Sequence, residues 1–232
     1  MIGAVRMRLT AGGIVLACAW WAPAWGQDVP VESGQARQTE RGGETEAAGL
    51  AEIEARAAAD SGDFQAQLDL GAAYYQADRL EDAVGAFLRA VALDSTSVPA
   101  WVNLGVALVD LGRVDEAVSA LERALAVHPD NPAALTNLAI AHYTSGRTET
   151  AVGLLTRAIA IDSGDQLAHF QLGIAFADTK LFEEAVREWQ AVIAAGAETA
   201  AGRRALKNIE RIEGIFTAER LRQRQDAIRS RR

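Results

Sequence analysis

Residues 98–131 read VPAWVNLGVALVDLGRVDEAVSALERALAVHPDN, and the chain returns to this pattern at a fixed stride of 34. Ala83, Ala117, Ala151 and Ala185 are one stride apart, as are Leu70, Leu104, Leu138 and Leu172. Beside those leucines stand Gly71, Gly105, Ala139 and Gly173. A constant period of this length, without insertions, specifies a stacked array of small units rather than one globule.

Within the stretch, Trp101, Leu104, Gly105 and Leu108 recur at spacings of three and four, so they share one helical face. Gly112 follows where a helix C-terminus takes a left-handed residue. A second apolar face comprises Ala117, Leu121, Ala124 and Leu125, and it stops at Pro129, which cannot continue a helix. Asn131 before Pro132 is an N-cap followed by proline at the first helical position. Each unit is therefore a helical hairpin, helix A then helix B. The small residues at 105 and 117 let the two backbones approach. One hairpin cannot cover its own apolar face, so several must stack.

The four units are 64–97, 98–131, 132–165 and 166–199. The first supplies Gln67, Leu70-Gly71, Tyr74, Ala83, Phe87, Ala90 and Ser95, and the second Trp101, Leu104-Gly105, Leu108, Ala117, Leu121, Ala124 and Pro129. The third has Leu135, Leu138-Ala139, His142, Ala151, Leu155, Ala158 and Ser163, and the fourth His169, Leu172-Gly173, Phe176, Ala185, Trp189, Val192 and Ala197. This register resembles the tetratricopeptide repeat family. The departures are the missing terminal prolines and the polar Gln67 and His169. The resemblance implies an all-α, right-handed α-solenoid and a protein that binds other proteins.

In that family the A helices line a concave groove. The matching positions are Leu68 and Tyr75 in the first unit, Val102, Val106 and Val109 in the second, Ile140 and Tyr143 in the third, and Phe170 and Ile174 in the fourth. Ala72, Thr136 and Ala177 complete the set, with Gln76, Asp110 and Asp178 near the rim. A largely apolar groove suits an extended peptide or an amphipathic helix of a partner protein. Val106→Glu or Ile140→Glu is expected to leave the fold intact and remove the partner. Family members that clamp a C-terminal carboxylate present lysine, asparagine and arginine from the first and third units. Here Leu68, Ala72, Ala133 and Asn137 stand there, and only Asn103 of the second unit agrees, as it does in ordinary family members, so that mode is not expected.

The flanks carry other signals. Residues 1–26 have Arg6 and Arg8, an apolar run, and Ala24-Trp25-Gly26, the layout of a secretory signal cleaved near Gly26. The expected location is a bacterial periplasm. Cys18, the one cysteine, follows Val15-Leu16-Ala17 and offers the alternative of a lipoprotein tether, although the residues after it are apolar. Residues 27–46 are polar and acidic, a composition of flexible linkers. Residues 47–63 form a leading helix in phase with a lone helix B. Residues 200–232 continue as a capping helix with Leu206, Ile209, Ile212 and Phe216 on one side, ending in a basic tail expected to fray.

Charge divides with the chain. Residues 200–232 hold ten basic and four acidic side chains, whereas 27–199 hold eleven basic and twenty-seven acidic. The bland meaning is a solvated cap on an acidic array. The functional alternative is a weak contact of the basic C-terminus with an anionic membrane or an acidic partner. Nucleic acid is not an expected partner, because no aromatic platform interleaves the arginines. Catalysis, metal and cofactor are not expected either. His128, His142 and His169 fall at turn or core positions, and the chain has no HExxH, GxSxG, Walker-type or GxGxxG motif.

Overall fold

The computed structural model describes the backbone of residues 39–229 and the side chains of 49–218. The signal segment 1–26, with Cys18, and residues 27–38 of the linker lie outside the described residues, as does the end of the basic tail. The described chain is a run of α-helices with no strand among them. In order they are α1 (Thr39–Ala59), α2 (Phe64–Gln76), α3 (Leu80–Leu93), α4 (Val98–Asp110), α5 (Val114–Val127), α6 (Pro132–Thr144), α7 (Thr148–Ile161), α8 (Gln166–Asp178), α9 (Phe182–Gly196) and α10 (Ala200–Arg229). Each packs against the next, and the even-numbered helices α2, α4, α6 and α8 also line up side by side. That is an α-solenoid of hairpins.

The turn inside every hairpin is built alike. Asp78, Gly112, Gly146 and Lys180, one stride apart, all take positive φ between 60° and 79°. At each, two backbone bonds close the preceding helix. Arg113 N donates to Leu108 O (2.8 Å) and Gly112 N to Val109 O (2.9 Å), and the same pair recurs at Arg79, Arg147 and Leu181. This is the Schellman motif, which satisfies carbonyls a helix end leaves open. Between hairpins, the next helix is capped by Asp63, Ser97, Asn131 and Asp165 in turn. Asn131 Oδ1 accepts from Ala134 N at 2.8 Å, as the Asn-Pro pair predicts.

One carbonyl recurs at the joints between units, and three different side chains meet it. Trp101 Nε1 donates to Ser95 O at 2.9 Å. In the next joint, where Leu135 has no donor, Arg157 Nη2 reaches Pro129 O at 2.9 Å. In the third, His169 Nε2 faces Ser163 O at 3.2 Å, while its Nδ1 lies 2.7 Å from Glu188 Oε2. The other polar departure, Gln67, is buried, accepts from Arg89 Nε (2.7 Å) and donates to Ala57 O. Both polar substitutions are thus satisfied by partners.

The helix crossings explain the small residues. A methyl at Gly71, Gly105 or Gly173 would stand within 3.0 Å of Phe87, Leu121 or Trp189 respectively. Those three side chains are fully buried.

Two flanks differ from expectation. α1 begins at Thr39, so eight residues assigned to the flexible linker are helical. Once Ile53 and Ala57 anchor α1 to Ala66 and Leu70, each further helical residue adds a backbone bond without a new nucleation cost. At the other end α10 runs to Arg229, past the last residue of the apolar stripe.

Candidate partner-binding face

The A helices carry the residues assigned to the groove, and the structure divides them. Leu68, Val102, Val106, Val109 and Ile140 are buried and belong to one apolar cluster with Leu104, Leu108 and Leu138. Phe170 and Ile174 are buried in a second cluster that includes Ala205 and Ile212 of α10. Tyr75 and Tyr143 keep part of their surface exposed. Seven of the nine side chains therefore do not stand open to a partner in this chain. For Phe170 and Ile174 the reason is visible: the capping helix packs on them through Ala205 and Ile212. Val106 has 0% of its surface accessible, so Val106→Glu would enclose a charge and endanger the fold. The expectation that it leaves the fold intact is corrected accordingly.

What the face presents at its rim is a pair of identical ties. The Tyr75 hydroxyl donates to Asp110 Oδ2, and the Tyr143 hydroxyl donates to Asp178 Oδ2. Each tie joins the A helix of one unit to that of the next, and the two are separated by two strides. Asp110 and Asp178 are the last residues of α4 and α8. The negative end of the helix dipole adds to each carboxylate, so the rim is a favourable place for a cation. The sequence identified Tyr75, Tyr143, Asp110 and Asp178 separately but not their pairing. The signal was present, since each aspartate follows its tyrosine by 35 residues.

Polar side chains also lie behind the face. Asn103, Thr136, Asn137 and Gln171 are buried. Asn137 Nδ2 donates to Ala133 O (2.8 Å), and Thr136 Oγ1 donates to Asp165 Oδ2 (2.9 Å). The Thr136 bond ties α6 to the N-cap of α8, whereas the Asn137 bond lies within α6. His128 lies in an exposed turn, and His142 and His169 sit within the units. Among the described residues no group of three or more His, Cys, Asp or Glu side chains is placed to hold a metal ion. Among them, too, no helix is long and apolar enough to cross a membrane.

Two models of the tetratricopeptide repeat match the sequence, over residues 43–98 and 102–166. Solved structures share the architecture. MamA is 22% identical with a TM-score of 0.56, the match covering 80% of this chain and 99% of that one. TTC0263, a thermophilic TPR protein of Thermus thermophilus, is 17% identical with a TM-score of 0.64, covering 74% and 94%. YrrB, "a TPR protein with an unusual peptide-binding site", is 22% identical with a TM-score of 0.51, covering 69% and 84%. No curated protein matches the chain. At these identities the likeness is one of fold.

Proposed function

Because the chain belongs to the tetratricopeptide repeat family, we propose that it is a non-catalytic protein–protein interaction scaffold of the bacterial cell envelope. It holds a peptide or helix of a partner protein against the A-helix face. The observation that carries this reading is the stack itself: four hairpins sharing neighbour contacts, with Tyr75, Gln76, Asp110, Tyr143 and Asp178 at least partly exposed along one rim. Stacked arrays of this kind present long surfaces suited to such ligands. A peptide-binding site is attributed to YrrB, a protein of the same fold. The buried Val102, Val106, Val109 and Ile140 shape the face from behind, and the rim makes first contact.

The strong acidic excess of residues 27–199 favours a partner segment with basic side chains. Export through the 1–26 segment would place the array in the periplasm. The test is capture from the envelope fraction by the wild-type chain beside Asp110→Asn/Asp178→Asn. That change keeps the size of both residues and an acceptor oxygen on each, and removes both charges. A partner recovered by wild type and lost by the folded double variant is the expected result. Equal recovery by both removes the rim from the mechanism.

A second reading places the chain at a membrane surface, through acylation of Cys18 or through α10. On α10, Leu206, Ile215 and Phe216 are exposed in the same segment as Arg203, Lys207 and Arg211. Intact mass of the purified chain and co-sedimentation with anionic liposomes distinguish this from the first reading.

A further inference from the structure

Helix α6 carries a histidine where its counterparts carry apolar or aromatic side chains. His142 occupies the position of Tyr74, Leu108 and Phe176 in the other units. Its carbonyl closes the hairpin turn, accepting from Ser145 N (3.1 Å) and Arg147 N (2.9 Å). The ring is half-buried, and its Nδ1 is enclosed with no hydrogen-bond partner among the described residues. His169 is different, since both of its ring nitrogens face oxygen atoms. Protonating His142 adds charge to an environment that has no acceptor for its Nδ1, and enclosing an uncompensated charge is costly.

The place of α6 in the stack gives this a consequence. One apolar cluster runs through the first two units into Ala134, Leu138 and Ile140 of α6. Another joins Leu135 and Ala139 of α6 to Leu155 of α7 and Leu172 of α8. A third lies in the fourth unit and α10. The third unit therefore connects the two ends. In an array stabilised by neighbour contacts, opening an internal unit divides it.

We propose that His142 makes the third unit the acid-labile link of the array. Protonation loosens α6 and α7, uncouples the first two units from the fourth, and so releases a partner held across them. The release step rests on the scaffold reading, and the loosening does not.

The electrostatics agree in sign. Burial is the largest influence and pushes the imidazole below its ordinary value of 6.5; Arg147, in the turn after α6, acts the same way, and Glu122 on α5 opposes both. Arg147, the N-cap of α7, and Glu122 of α5 are the charged groups that act on the ring. The unfolded or opened segment thus takes up the proton at higher pH than the closed one. Stability is lost as pH falls through the ordinary histidine value, and the loss is complete below the folded value. Above that range both forms are neutral and the contribution vanishes.

The experiment is native-state hydrogen exchange on the full chain, from neutral pH to about pH 5, the range in which histidine titrates. Wild type is compared with His142→Phe, which installs the residue type of the fourth unit. In wild type the opening of α6 and α7 amides is expected to rise several-fold on acidification, with α2 and α3 much less affected. His142→Phe should abolish the excess. Arg147→Gln, which removes one group that disfavours the proton, should reduce it while keeping protection at neutral pH. An equal acid response in wild type and His142→Phe, or a rise spread evenly over all units, overturns the proposal. Acid opening of α6 and α7 without release of a captured partner would overturn only the release step.

Discussion

The second and third units place the same side chain at the crossing of their helices, Leu121 in one and Leu155 in the other. They oppose it differently. In the second unit Gly105 faces the leucine, and a methyl there would lie 2.5 Å from Leu121 Cγ. In the third unit that methyl exists, as Ala139, and both it and Leu155 are fully buried. The glycine is therefore not a fixed requirement of the crossing. It is one half of a pair whose other half can adjust, provided that half is flexible.

The fourth unit is the stringent case. Gly173 faces Trp189, whose rigid indole is fully buried and whose Nε1 donates to Phe170 O at 3.2 Å. Gly173→Ala should cost about 3 kcal/mol, since overfilling a close-packed contact cannot be relieved by a rotamer change here. Urea unfolding measures it. Gly105→Ala should cost only about 1 kcal/mol, because Leu121 can shift as Leu155 does. Equal losses for the two would show that the glycine itself, and not its partner, sets the crossing.

The pairing can be sharpened by exchange. Leu155→Phe alone should overfill the third unit. With Ala139→Gly added, the pair reproduces Gly71 against Phe87 and should recover roughly 1 kcal/mol of coupling in a double-mutant cycle. Strict additivity would argue that the two positions do not sense each other.

The smallest effect concerns the turns. Gly112 and Gly146 sit at φ of 79° and 77°, while Asp78 and Lys180 adopt φ of 60° and 63° with a side chain attached. Lys180→Gly should raise stability by about 0.5 kcal/mol, the left-handed penalty less the added backbone freedom of glycine. A loss instead would mean that the lysine side chain contributes a compensating contact.

These contrasts show where the sequence was legible. The stride, the hairpins, Asn131 as a cap and Gly112 as a left-handed residue follow from local chemistry repeated four times. The accessibility of the A-helix face does not. Whether Phe170 or Ile174 meets a partner depends on where α10 comes to rest, and no local pattern states that α10 joins their cluster through Ala205 and Ile212. The Tyr75–Asp110 and Tyr143–Asp178 ties were hidden for a related reason. They connect neighbouring units across the stack, so they appear only when the stride is read with an offset of one residue.

The joint carbonyls of Ser95, Pro129 and Ser163 have a consequence for how such chains change over generations. Tryptophan, arginine and histidine share little in size, shape or charge, yet each brings an N–H or ring nitrogen to the same place. What the joints share is a contact to that carbonyl, and more than one column of the repeat can supply it. Arg157 does so from helix B when Leu135 cannot from helix A. Within this chain neither column keeps one residue type, yet each of the three joints has its contact. Drift in these units can thus proceed by handing a task from one residue to another, leaving the shape of the stack untouched.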